Sequence, residues 1–126
     1  MFISIIAALA TACSGNIKNV NIAEYSSDIY SDADIDSAVN TVLDYFKKFS
    51  HCTLTQISYA GDEAAEEEYN RLAERVNADE VMVLLSSFDT DHFVEGGFSP
   101  DYTYNNWNWI LVRSDDGEWE VFDYGY

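Results

Sequence analysis

The run EVMVLLSSF, residues 80–88, most narrows what this chain can become. A strand with one wet face alternates apolar and polar side chains, whereas this run is apolar at consecutive positions, as in a strand covered on both faces. The chain must therefore supply partner strands beside it and packing on either side. CTLTQISYA, 52–60, is rich in Thr and β-branched residues and reads as one partner. Residues 104–113 and 118–124 read as two more, joined by Ser114-Asp115-Asp116-Gly117, with Gly117 in the left-handed position of a type I turn with a bulge. In that register Trp107, Trp109 and Leu111 share a face with Trp119 and Val121, while Ile110, Val112 and Phe122 share the other.

Two helices complete the set. Ile35, Ala38, Val39, Val42, Leu43 and Phe46 follow helical spacing, which predicts a helix over 32–49. Ser31 and Asp34 stand where a capping box needs them. A second helix is predicted over 63–77, capped by Asp62, with Ala65, Tyr69, Leu72 and Val76 as a narrow apolar stripe. Its Glu63, Glu66, Glu67 and Glu68 face water and suit the positive end of the helix dipole. The order α-β-α-β-β-β predicts an α+β fold, two helices packed on a mainly antiparallel sheet of about four strands. At 126 residues the chain is one domain, spanning 31–126.

Six basic residues against 23 acidic ones give a net charge of −17. Nucleic acid and anionic lipid surfaces would be repelled, so neither is an expected partner. The two cysteines, Cys13 and Cys52, make no disulfide framework and no zinc spacing. His51 adjoins Cys52, but neighbours on a strand point to opposite faces, which poorly serves a shared ligand or a nucleophile pair.

MFISIIAALATA, residues 1–12, holds no charge and no helix breaker. It is too short to span a bilayer, which takes about 20 residues, and it suits the hydrophobic region of a secretory signal. Small residues Ala10, Thr11 and Ala12 then lead into Cys13, followed by Ser14, Gly15 and Asn16. This resembles a bacterial lipobox, in which the cysteine is acylated and the chain is cleaved just before it. Ala10 stands where a lipobox usually carries Leu, and the Leu is one place earlier at Leu9. No basic residue precedes Lys18, so the signal is expected to start upstream of Met1. The alternative is a buried N-terminal helix or strand with Cys13 in the core, or a Cys13–Cys52 disulfide if no cut is made. Residues 13–30 are polar without a clear period and read as the lipidated cysteine and a flexible tether holding the domain off a membrane.

ADEVMVLLSSFDTD and YTYNNWNWILVRSDDGEWEVFDYGY resemble the C-terminal half of small lipoproteins of Gram-positive gut bacteria. The shared pattern is an Asn-Trp-x-Trp-Ile-Leu-Val-Arg strand, a Gly-containing turn, a Trp and a closing Gly-Tyr. The resemblance covers roughly residues 31–126 and is most specific in the last 25. It implies an extracytoplasmic, lipid-anchored domain of a cystatin/NTF2-like kind, and it carries no activity with it.

Three sets of residues could carry chemistry. Asp89 and Asp91, two apart at a strand end, with Glu95 nearby, could hold a hard cation such as Ca²⁺. An EF-hand is excluded, because Phe93 and Val94 occupy places that need a ligand and Gly. Asp89, Asp91 and His92 could instead serve a hydrolase as acid and base, given a pocket and one raised pKa. No serine-nucleophile elbow, zinc-protease helix, phosphate loop or dinucleotide fingerprint occurs. The third set is aromatic: eleven of the 19 aromatic residues lie at Phe88 or later, including all three tryptophans. Trp107, Trp109 and Trp119 could form core or an open stacking face, with Asn105, Asn106 and Asn108 adding polar groups beside the rings. No cofactor is called for beyond that Ca²⁺ site. The expected role is binding a protein, peptide or glycan rather than catalysis, with a small-ligand or glycan receptor on the tryptophan face as the sharpest form. Arg113 is expected to pair with a neighbouring acid as a structural residue.

Overall fold

The computed structural model describes residues 14–115 and 117–126; the predicted signal and Cys13 lie outside the described residues. Two helices pack on a mixed five-stranded sheet, in chain order β1 (Asn21–Ile22), α1 (Asp32–Phe46), β2 (Cys52–Tyr59), α2 (Asp62–Leu72), β3 (Glu80–Thr90), β4 (Thr103–Arg113) and β5 (Glu120–Gly125). The strands lie side by side in that same order. The β1–β2 pair is parallel, and the other three pairs are antiparallel. The α+β class is as the sequence predicts. The fifth strand, and with it the parallel pair, comes from the segment read as a tether.

Alternation along β3 explains the apolar run. Met82, Leu84 and Phe88 face α1 together with Leu54, Ile57, Trp107, Trp109 and Leu111. Val81 lies on the other face with Ile110 and Val112, where Leu72 of α2 covers it. Trp119 and Val121 join the α1 side, as the predicted hairpin register requires. The turn before them closes with Gly117 N–H donating to the Ser114 carbonyl at 2.9 Å, and Asp115 takes a positive φ of 51°.

The Ser31 capping box forms: Ser31 Oγ accepts from Asp34 N–H at 3.1 Å, and Asp34 returns the bond to Ser31 N–H. The helix then stops at Phe46, three residues before its predicted end. Lys47, Lys48 and Phe49 donate to carbonyls three residues back, a tighter turn that swings Phe49 into the core. In α2 the cap differs from expectation. Gly61, with φ 108°, is the N-cap and no side chain caps the helix. Asp62 accepts instead from Ser27 Oγ (2.6 Å), Asp28 N–H (2.8 Å) and Tyr59 Oη (2.5 Å). The helix ends at Leu72 rather than 77, and the Leu72 carbonyl takes both Arg75 and Val76 N–H.

Those Asp62 contacts belong to the larger correction: residues 14–30 are not a free tether. Gly15 N–H donates to the Lys47 carbonyl and Asn16 N–H to that of Cys52, each at 2.9 Å, and Asn16 returns a carbonyl to Leu54. Ile17, Val20 and Tyr25 pack on the main core, and buried Tyr30 donates to the Val81 carbonyl at 2.5 Å. The segment has no period because each apolar residue reaches in separately, between polar ones that remain wet. Gly15 is required where it stands, since a Cβ there would lie 2.2 Å from the Phe46 carbonyl oxygen.

The opposite end of the molecule is held by Arg113. Its guanidinium makes a two-pronged pair with Glu80 (2.8 and 3.1 Å), a third bond to Asp34 (3.0 Å), and lies 4.5 Å from the Trp119 ring centroid. Arg113 holds the Asp34 carboxyl below its ordinary value of 3.8. A depressed folded-state pKa stabilises above the unfolded value and is lost as pH falls through the folded one. Arg113→Met should therefore cost about 2 kcal/mol at pH 7, between the ranges for buried and surface pairs, and flatten the loss of stability below pH 3.8; urea unfolding across pH measures both. Gly15→Ala should leave the sheet folded but release its strap, seen as faster deuterium exchange at Leu54 and Ala23.

Candidate functional site

Helix α1 is too short for the sheet it covers. Fifteen residues rise about 22 Å, whereas the eleven residues of β3 or β4 span about 36 Å. Beyond Phe46 the concave face is left uncovered at the end where β4 begins and β5 finishes. The sheet also bends there. Thr55 is an extra residue on β2, and Asn105 and Asn106 together oppose Ser87 on β3, so two bulges flank one point of the central strand. Asn106 takes the positive φ (55°) that the bulge requires and that Asn tolerates better than most residues.

The result is a cleft of about 730 Å³. Tyr45 and Phe49 form its α1 wall; Tyr104, Trp107, Tyr124 and Tyr126 form its sheet wall; Phe98 closes the side made by the 91–102 loop. The rings brace one another. Trp107 stacks on Tyr124 with centroids 6.1 Å apart, and Tyr126 meets Trp107 edge-on at 5.4 Å. Tyr124 is also 5.3 Å from Phe49. Phe98 pins the loop by packing on Phe49, Phe88 and Trp107. Gly96 and Gly97, with φ of 76° and 87°, bring the chain round to place it.

Polar groups sit along the rim. Lys48 Nζ lies 4.2 Å from the Tyr45 ring centroid, and Glu95 lines the loop side. His51 Nδ1 is 2.9 Å from Asp91 Oδ2, which fixes the imidazole at the mouth and lowers the Asp91 carboxyl. Burial, and then Tyr45 beside it, raises the Tyr124 phenol, so it stays protonated at neutral pH. Within the wall, the Trp107 indole N–H is buried with no hydrogen-bond partner. The Trp119 indole N–H is in the same state, and each buried donor left unpaired carries a desolvation cost of about 1–3 kcal/mol.

The three tryptophans do not share one role. Trp109 is fully buried and donates to Ser86 Oγ at 2.8 Å, and Trp119 is buried between Tyr30 and Arg113. Only Trp107 lines the cleft. Neither Asn106 nor Asn108 joins it: Asn106 is exposed at the bulge, and Asn108 falls on the other face of β4. Of the predicted residues only Trp107 lines the cleft, whose other rings are Tyr45, Phe49, Phe98, Tyr104, Tyr124 and Tyr126.

Asp89 and Asp91 line one small hollow, but each acid has its own partner. Asp89 accepts from Thr103 Oγ1 (2.6 Å), Asp91 is taken by His51 and Phe93 N–H, and His92 pairs with Asp101 (3.0 Å). Glu95 stands apart on the cleft rim. No group of three metal-capable side chains forms among the described residues, so the Asp89–Asp91–Glu95 cation site does not assemble. Cys52 is buried, and burial, with the Asp91 charge, pushes its thiol up to about 11. His51 beside it lies in the turn before β2 with φ 66°, outside strand alternation, and lines the cleft. Among the described residues no helix is long and apolar enough to cross a membrane.

Comparison with protein-family models, curated proteins and solved structures finds no match to this chain. The cleft must be interpreted from its own chemistry. All three indoles are buried and Trp107, at 8% exposure, is the one that borders the cleft, so acrylamide should quench only a small part of the tryptophan emission, and Trp107→Phe should abolish that part. Strong quenching that survives the substitution would place Trp109 or Trp119 within reach of solvent, contrary to this arrangement.

Proposed function

We propose that this chain is a lipid-anchored, extracytoplasmic binding domain that takes the ring of a glycan into the aromatic cleft and performs no catalysis. The carrying observation is the cleft itself: seven aromatic side chains around a volume suited to a small ligand, with hydrogen-bonding groups at the rim. Sugar rings present flat C–H faces to aromatic rings and hydroxyls to their surroundings. Tyr124 and Tyr126, the exposed rings of the cleft, offer the stacking surface, with a narrow edge of Trp107 beside them; Lys48, His51 and Glu95 offer partners for hydroxyls. The pairing of His92 with Asp101 gives no support to a hydrolase built on Asp89, Asp91 and His92. The anchoring half of the reading is supported by the lipobox-like residues ending at Cys13 and by the apolar run before them.

Two measurements test the two halves separately. Mass spectrometry of protein made in a Gram-positive host should show loss of residues 1–12 and an acyl mass on Cys13; an intact Met1 terminus would overturn anchoring. Titration with soluble oligosaccharides, starting with cello-, chito- and xylo-oligomers, should shift the Trp107 emission saturably. Tyr124→Ala, which keeps that reporter, should weaken the binding about tenfold, the equivalent of one good aromatic contact. Saturable binding of apolar peptides in place of sugars would reassign the ligand but keep the cleft.

A further inference from the structure

The aromatic cleft is one end of a longer seam between α1 and β5. Contacts join the two elements in the same order along both. Thr41 Oγ1 lies 3.5 Å from the Trp119 carbonyl, and further on the Tyr45 and Tyr124 rings lie 5.7 Å apart. The helix and the strand therefore run side by side toward the cleft. β5 is the last strand of the sheet, so among the described residues no strand shuts the seam from its outer side.

A second hollow opens on this seam. Its volume is about 410 Å³, and it is lined by Ser37, Asn40, Thr41 and Asp44 of α1 with Glu118 and Trp119 on the way into β5. Ser37, Thr41, Asp44, Tyr45 and Lys48 recur at three- and four-residue intervals, which makes them neighbours along one side of the chain. The first three line the hollow, and the last two line the cleft. From Ser37 to Tyr45 the helix rises about 12 Å, and the cleft continues beyond Tyr45 to Phe49. That path is longer than a single sugar ring.

The two hollows differ in chemistry. Rings surround the cleft, whereas hydroxyls, an amide and two carboxylates border the second hollow, where Trp119 is buried. Amides and carboxylates exchange hydrogen bonds with sugar hydroxyls, and rings stack on C–H faces. Charge on and beside the seam is mostly negative. Asp44, Glu95, Glu118, Glu120 and Asp123 outnumber Lys47 and Lys48; Lys47 is already paired with Asp44 at 3.4 Å, and His51 with Asp91 at 2.9 Å. An acidic glycan would be repelled along the whole path.

We infer that the ligand is a linear oligosaccharide without acidic groups, longer than a dimer, with one end held in the aromatic cleft and the following units laid along α1 toward Asn40, Asp44 and Glu118. This rests on the glycan reading above and adds the length, the direction and the charge of the ligand. The cleft supplies the stacking, and the second hollow takes the hydroxyls of the units beyond it.

The test is isothermal titration calorimetry of the full-length protein with cellobiose and cellohexaose, and with the dimers and hexamers of the chito- and xylo-series. Affinity should rise about tenfold from dimer to hexamer, the worth of one or two net hydrogen bonds. Asn40→Ala and Glu118→Ala, both at exposed positions, should each remove much of that gain and leave dimer binding unchanged, whereas Tyr124→Ala should weaken both lengths. Equal affinity for dimer and hexamer, or a gain that both variants retain, overturns the extended site and leaves the cleft reading standing. Tighter binding of an oligogalacturonate hexamer than of the uncharged hexamers overturns this inference in the same way. No saturable binding of any sugar overturns the glycan reading and this inference together.

Discussion

Everything in this fold is aligned by the grip of Glu80 and Asp34 on Arg113. The guanidinium joins the first residue of β3, the last of β4 and the first turn of α1, and it lies over Trp119 on the way into β5. In a chain of net charge −17, a mostly buried cation shared by two acids is a geometric device before it is a source of stability. The fork of the guanidinium fixes direction as well as distance. It sets where α1 starts over the sheet, and the fifteen-residue length of the helix then determines where coverage stops.

Trp119 pairs with Tyr30 at that fixed point, and a separate aromatic cluster lies further along the sheet. Trp109 lies fully buried near the centre, Phe49 packs against it at 5.6 Å, and Tyr124 follows at 5.4 Å before the rings of the cleft take over. The cleft is thus the wet margin of the core rather than a separate construction. Its walls are held by the same contacts that stabilise the protein, so the site is preorganised, and its lining cannot be altered without some cost to the fold.

The sequence discloses what depends on periodicity and on short local motifs. The Ser31–Asp34 capping box, the doubly covered β3 and the facing of Trp107, Trp109 and Leu111 with Trp119 and Val121 follow from rules that act over a few residues. What stayed hidden depends on distant partners. Asp62 looks like a cap but is claimed by Ser27 and Tyr59, and a two-residue β1 leaves no alternation to detect. Tyr45 lies off the apolar stripe of α1 because it borders the cleft, and Phe49, beyond the end of the helix, is placed by the tighter turn that follows Phe46. The three Trp residues share one side of the sheet, yet α1 covers two of them and stops before the third. That difference is set by helix length against strand length, and by bulges at Thr55 and Asn105–Asn106 that no spacing rule marks.

The strap formed by residues 16–23 has a consequence for how such molecules tolerate crowding. Without it, β2 would present a bare row of amides and carbonyls along eight residues, a template for another chain. Asn16, Asn21, Ile22 and Ala23 occupy that row, and the strap is itself too short and too polar to offer a fresh one. A domain whose own strap seals its most adhesive border can be packed densely and remain a set of separate molecules.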